Sequence, residues 1–390
     1  MLALEAGQAR RVPGSGPGRS VLAVTALSAA GVLALAACSG GSPAASAAPP
    51  ASPGAAGTSL PTAPAALTQT LSETGSSLMA PLFARWAPAY HARFPQVTLR
   101  ITTSSSGVGI SSAAAGATDI GASDAYLSPA DVTKYVHLVN IPLAVAALMV
   151  IYHIPDLSPS THLKLNGQVL AQIFAGTITQ WDAPAIRNLN PGVALPSSAI
   201  VPVHRSDASG SSFLFTSYLN AQDPADWSPS LIGTTVAWPA QPGGRGADGS
   251  DNMISTVGAS PGAIGYVGVS YLAPVSQAGE GEAALANSAG RYVLPTPSTI
   301  QAGLASFTNT PDNGTISLIN GSAAQAYPVI NYEYAIVSTA QPSAALAQDL
   351  RAFLGWALTS GTAQLGPVNF QPLPASVVTQ AQAQIAKITG

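Results

Sequence analysis

The chain of 390 residues has a single cysteine, Cys38, so no intrachain disulfide is possible and its stability must come from packing. Charge is scarce as well. Only 8% of residues are Asp, Glu, Lys or Arg, and the formal net charge is −3. Setting aside Arg10, Arg11, Arg19 and Glu5 leaves the remainder more acidic still, at −5. No basic patch of the kind that holds nucleic acid is present. Aromatics make up 6% of the chain, which argues against a stacked sugar platform, so Trp86, Trp181, Trp227, Trp238 and Trp356 read as packing residues. The five histidines (His91, His137, His153, His162, His204) show no His-Glu-x-x-His or other metal spacing, and no metal or cofactor is expected. The glycine clusters at 107–109 and 243–249 read as loops without the Gly-Lys-Ser/Thr that completes a P-loop. A Gly-x-Ser-x-Gly nucleophile elbow is missing too.

What is present begins with an export signal. Three arginines precede an uncharged apolar stretch, Val21 to Ala37, that ends in Leu35-Ala36-Ala37-Cys38. A positive start, an apolar middle and a small-residue end make residues 1–37 a secretory signal rather than a spanning helix. Leu-Ala-Ala-Cys resembles the bacterial lipobox, which predicts lipidation at Cys38, with palmitate among the acyl chains. Ordinary secretion with a spare thiol is the alternative. Residues 38–66 are almost all Gly, Ser, Ala, Pro and Thr, a composition too poor in apolar surface to offset chain entropy, and they are expected to form a disordered tether.

The remaining residues exceed one small core and alternate helix-like with strand-like patterns, which predicts an α/β body of two lobes. Pro81 to Phe94 carries apolar residues at helical spacing, and Thr98 to Thr102 is a short β-branched run. Leu143 to Tyr152 is nearly continuous in apolar residues, as in a buried strand. Val169 to Phe174 reads as a helix, Ile200 to Val203, Ala263 to Val269 and Tyr327 to Val337 as strands, and Ala344 to Leu358 as a helix.

The most informative stretch is 203–218. Arg205 is followed by Asp207 and then by Ser209-Gly210-Ser211, which leads into Phe213, Leu214, Tyr218 and Leu219 at helical spacing. Ser209 reads as an N-cap, and the glycine lets backbone approach a ligand. The first N–H groups of a helix lack partners and carry its positive dipole end. Two hydroxyls and an arginine placed there suit a small oxyanion. An ordinary capped helix after a polar turn is the alternative. Gly75-Ser76-Ser77-Leu78 and Ser104 to Gly109 repeat the pattern, and Asp119 to Ala125 ends a strand in Ser123-Asp124. Each alone is a common cap or turn. Together they would form a cage of donors with one acceptor, Asp124.

Those residues, with Gly176 to Asp182, Pro261 to Val267 and Tyr327-Pro328-Val329, resemble the phosphate-binding lipoproteins of bacterial phosphate-specific ABC transporters over about residues 70–378. The resemblance implies a two-lobed periplasmic-binding-protein-like (type II) fold, its ligand cleft lying between lobes joined by crossing strands. Residues 67–143 plus 275–390 would form one lobe and 144–274 the other. By position, Ser77, the Leu78 N–H, Ser106, Asp124, Arg205, Ser209, the Gly210 N–H and Ser211 would hold inorganic phosphate, with Asp207 bracing Arg205. Leu78 stands where the family often has Phe, and Ser77 and Ser211 where it often has Thr. The implied protein is a non-enzymatic monomer, lipid-anchored on the extracytoplasmic face of the cell membrane. There it would deliver phosphate to transmembrane permease subunits. A phosphate-binding surface protein, or a secreted phosphatase or esterase using the same serines and arginine with His204 as base, is the alternative.

Overall fold

A computed structural model describes residues 60–65 and 68–390. The signal stretch, Cys38 and the tether up to residue 59 lie outside the described residues. Residues 60–65, the end of the stretch expected to be disordered, rest on the body. Leu60 packs beside Gly355, and the Ala65 N–H donates to Asp349 Oδ1 at 2.6 Å.

The described residues form twelve strands in chain order: β1 (Gln69–Ser76), β2 (Val97–Ser104), β3 (Ile120–Ser123), β4 (Leu138–His153), β5 (Lys164–Leu165), β6 (Val201–Arg205), β7 (Arg245–Ala247), β8 (Ala263–Gly268), β9 (Gly281–Glu282), β10 (Ala284–Ala286), β11 (Tyr292–Val293) and β12 (Ile330–Ser338). Among the described residues eleven α-helices lie between and after them: α1 (Ala80–Arg93), α2 (Ser106–Ala114), α3 (Pro129–Lys134), α4 (Gly167–Phe174), α5 (Pro184–Leu189), α6 (Gly210–Gln222), α7 (Gly249–Gly258), α8 (Leu272–Gln277), α9 (Pro297–Leu304), α10 (Ala344–Ala357) and α11 (Ala375–Ile385).

The main sheet runs β2-β1-β3-β12-β4-β8-β6-β7, with β9 also on β4. β4 joins its two halves. Residues 138–147 pair antiparallel with β12, and 148–153 pair antiparallel with β8. Strand β4 is buried along almost its whole length, which is why it reads as an unbroken apolar run. Pro142 has no N–H for the ladder, and the β4–β12 register shifts beside it, between Glu333 and Tyr334. Helices α1 and α10 meet through aromatic edges: Trp86 to Phe353 at 6.2 Å, Tyr90 to Phe353 at 5.1 Å and Tyr90 to Trp356 at 5.1 Å between ring centroids. Each such pair contributes about 0.5–1.5 kcal/mol beyond burial. Trp181 is buried as well, with its indole N–H on the Gly262 carbonyl at 3.0 Å.

Residues 281–293 fall in the range assigned from sequence to the first lobe. In the structure β9 pairs with the second half of β4 and β10 pairs with β5. The chain rejoins the first half of the sheet with β12. Gly107 to Gly109, expected as a loop, lie in the first turn of α2.

Among the buried carboxyls with at least one oxygen unpaired are Glu73 on β1, and Glu280 and Glu282 at β9. Burial pushes Glu73 and Glu280 up to about 8 and Glu282 to about 7. An unfolded-chain glutamate titrates near about 4.3. Between those values the folded protein holds protons that the unfolded chain has released, so stability falls as pH rises. The thermal midpoint is therefore expected to drop from about pH 5 to about pH 8, and a triple E73Q/E280Q/E282Q variant to flatten the slope. Equal slopes in differential scanning calorimetry would refute this account.

Candidate functional site

Four helix starts meet where the two halves of the sheet face one another. From the first half come the β1–α1 turn with Ser76 and Ser77, the start of α2 with Ser106, and the end of β3 with Asp124. From the second come the β6–α6 turn with Arg205 and Ser209 to Ser211, and the start of α7 with Ser250. Three of the turns are built by serine. Ser105 Oγ accepts from the Val108 N–H at 3.4 Å and Ser209 Oγ from the Ser212 N–H at 3.3 Å. Ser76 Oγ accepts from the Leu78 N–H at 3.1 Å and the Met79 N–H at 3.4 Å. These caps fix the direction of each helix, and the Leu78 N–H, expected to face a ligand, donates to Ser76 Oγ instead.

Asp124 is the hub, with only 1% of its surface exposed. Ser76 donates to its Oδ1, and Ser211 donates to its Oδ2 at 2.9 Å across the cleft. Its own N–H donates to Ser106 Oγ at 3.1 Å. Burial pushes the Asp124 carboxyl up, while the bonds from Ser76 and Ser211 and the Arg205 charge pull against that rise. The guanidinium of Arg205 is buried and braced by Asp207. Its Nε donates to Oδ1 at 2.6 Å and its Nη2 to Oδ2. Such a two-point clamp holds a planar cation in one orientation. Gly210 sits where only hydrogen fits. A Cβ there would lie 2.5 Å from Ser106 Oγ and 2.7 Å from Asp124 Cβ. Gly107 makes a second close approach, its N–H donating to the Ala208 carbonyl at 2.9 Å.

Ser106, Asp124, Gly210 and Ser211 are thus in mutual contact, with Arg205 and Asp207 beside them. Ser209 is turned to its own helix as a cap. Ser77 meets Ser250 instead of Asp124, with their hydroxyls 2.9 Å apart and the Ser250 N–H donating to Ser77 Oγ at 3.1 Å. A cavity of about 320 Å³ opens beside this contact, lined by Ser77, Thr103 to Ser105, Val108, Asp207 and residues 248–252. Sequence reasoning missed Ser76, Ser250 and Glu333, whose buried carboxyl faces Asp124. The usable signals were a second serine in the same turn, a Gly-Ser-Asp helix start, and a lone acid within an apolar strand. Asp119 is structural, accepting from the Ser72 N–H and Oγ, both at 2.7 Å. His204 lies apart from the serines, stacked on Trp238 at 5.0 Å with its Nδ1 on the Arg205 carbonyl at 3.1 Å.

Two sheet halves sharing one long strand, with helix starts converging between them, define a two-lobed solute-binding protein. A family model described as a PBP superfamily domain matches residues 53–360. The chain is 31% identical over 316 residues to the phosphate-binding protein PstS of Xylella fastidiosa, covering 80% of this chain and 84% of that one. It is 32% identical over 318 residues to the PstS of Methanocaldococcus jannaschii, covering 75% and 79% respectively. The chain belongs to the PstS family of phosphate-binding proteins within the PBP superfamily. Its fold matches the crystal structure of a phosphate-binding protein from Stenotrophomonas maltophilia with a TM-score of 0.65 at 18% identity, over 81% of this chain and 93% of that one.

Proposed function

We propose that this protein binds inorganic phosphate in the cleft, held by the Ser77 and Leu78 turn, Ser106, Asp124, Arg205, Ser209, Gly210 and Ser211, and passes it to the permease subunits of a phosphate ABC transporter. The observation that carries the reading is a buried carboxylate set among helix starts with one braced arginine. Helix N–H groups and the guanidinium favour an anion. Asp124 favours one that still carries a proton, because an ionised carboxylate only accepts. Names of relatives at about 30% identity support phosphate as that anion. The position of His204, away from Ser209 and Ser211, supports a binding protein over a serine hydrolase that would use it as base. Calorimetric titration of the purified protein with phosphate and with sulfate tests the proposal. Phosphate alone should bind tightly, and equal heats from both anions would sink it.

Gly210→Ala tests the closeness of the two halves at Asp124. The added methyl must push Ser106 or Asp124 away, an overpacking cost of about 1–3 kcal/mol, or roughly 5- to 150-fold in phosphate affinity. A wild-type dissociation constant would mean that α6 does not approach Asp124 in the bound form.

We also propose that the chain is anchored at the extracytoplasmic face of the cell membrane through acylated Cys38. The support is the sequence Leu35 to Cys38, and no described helix is long and apolar enough to cross a membrane. Lipid chains would supply the membrane affinity that the Gly/Ser/Ala tether lacks. Cys38→Ala is expected to release the protein or leave an uncleaved precursor. Unchanged membrane retention of that variant, without acylation, would point to another anchor.

A further inference from the structure

Glu333 is a second buried carboxyl at the site. It lies on β12 paired with Ala144, beside the register shift at Pro142, with 0% of its surface exposed. Strand alternation puts it on the same face as Asn331, whose side-chain amide donates to the Asp124 carbonyl. Tyr334 pairs with Ser123, which sets Glu333 beside Asp124, and neither Oε1 nor Oε2 of Glu333 has a hydroxyl, amide or cation as partner. The flanking phenols are engaged elsewhere, Tyr332 with Thr310 Oγ1 at 3.2 Å and Tyr334 with the Gly314 carbonyl at 2.9 Å. Arg205 and Tyr271 are the other titratable groups acting near the pair, Arg205 through Asp124 from the far side of the cleft and Tyr271 with its hydroxyl on the Ser77 carbonyl.

Two ionised carboxylates only accept hydrogen bonds, so they cannot bond to one another, and buried together they repel. A proton between them removes both problems. Asp124 has Ser76, Ser211 and Arg205 to stabilise its charge, whereas Glu333 has nothing comparable, so the proton belongs on Glu333. Burial and the neighbouring charge push the Glu333 carboxyl well above the usual range.

We propose that Glu333 is a positioning residue that, as a neutral acid, donates to Asp124 and keeps it an acceptor toward the ligand, so setting the anion specificity of the cleft. The inference rests on the phosphate reading above. A carboxylate offers about four lone-pair places. Ser76, Ser211 and Glu333 fill three of them and leave one for a proton carried by the ligand, which hydrogenphosphate supplies and sulfate lacks. Without the Glu333 donor, the buried Asp124 takes a proton of its own, presents a donor to the cleft and admits sulfate.

The test compares wild type, Glu333→Gln and Glu333→Leu by calorimetry with phosphate and sulfate at one pH and ionic strength. Glutamine keeps a neutral donor, and its phosphate-to-sulfate affinity ratio is expected within about threefold of wild type, while leucine lowers the ratio by about tenfold or more, as loss of a charge-assisted bond requires. An unshifted ratio in E333L, or an equal fall in both variants, overturns the inference. E333Q supplies a second readout whether or not E333L folds. Where phosphate is already fully the dianion, rising pH strips the proton from Glu333 and weakens binding in wild type, whereas E333Q holds its affinity. Parallel pH curves overturn the inference even if phosphate binds. A wild type that binds neither anion overturns the phosphate reading and this inference with it.

Discussion

Arg205→Ala is expected to weaken phosphate binding by about 3–5 kcal/mol, or two to three and a half orders of magnitude, because a buried anion loses its charged partner. Arg205 is the only basic side chain among the proposed ligands, and it is 4% exposed. Asp207 keeps 18% of its side chain exposed and hydrates once the guanidinium is gone, so the ligand-free fold should lose much less than the complex. Arg205→Lys should not restore wild-type affinity, since an ammonium cannot form the two-point contact with Asp207. Isothermal titration of these two variants decides the matter. A wild-type dissociation constant in R205A would place the anion elsewhere.

Asp124→Asn is expected to cost phosphate a charge-assisted bond, about 1.5–3 kcal/mol. It should change selectivity more than affinity. The amide keeps an acceptor oxygen, removes the negative charge and adds a donor for an unprotonated oxyanion. A preference for phosphate over sulfate on the order of 10⁴-fold, reasonable for a buried polar mismatch, should then shrink sharply. Both dissociation constants must be measured for both proteins under one set of conditions. A preserved ratio would make Asp124 a structural group, with its bonds to Ser76 and Ser211 serving only to hold the two halves together.

Local signals carried much of this structure. The apolar run of β4, the helical spacing of α1, α4 and α10, and Ser209 ahead of α6 are short-range patterns, and each element lies within a few residues of its expected place. Arg205, Asp207 and the α6 turn form one contiguous stretch, so their geometry was legible too. Long-range choices were not. Ser76 and Ser77 are adjacent and chemically identical, and only the path of the β1–α1 turn decides that the first meets Asp124 while the second meets Ser250, 173 residues away. Strand β1 mixes polar and apolar residues without strict alternation and left little trace. β9 and β10 are too short to announce their partners, so the sequence does not reveal that they pair with β4 and β5. Glu333 was visible as a lone acid in an apolar strand, but its meaning depends on Asp124, which reaches it only through the pairing of β3 with β12.

The pairing of Arg205 with Asp207 also shapes how the ligand arrives. The single cation of the site is already matched by Asp207, Asp124 adds a negative charge, and Asp248 and Asp251 line the cavity. No surplus positive field extends outward, and at physiological ionic strength charge acts over only about 8 Å in any case. Encounter with phosphate is therefore unsteered, set by diffusion and the size of the opening. Salt concentration should leave both the association rate and the affinity nearly unchanged, unlike anion sites that work by surface basicity.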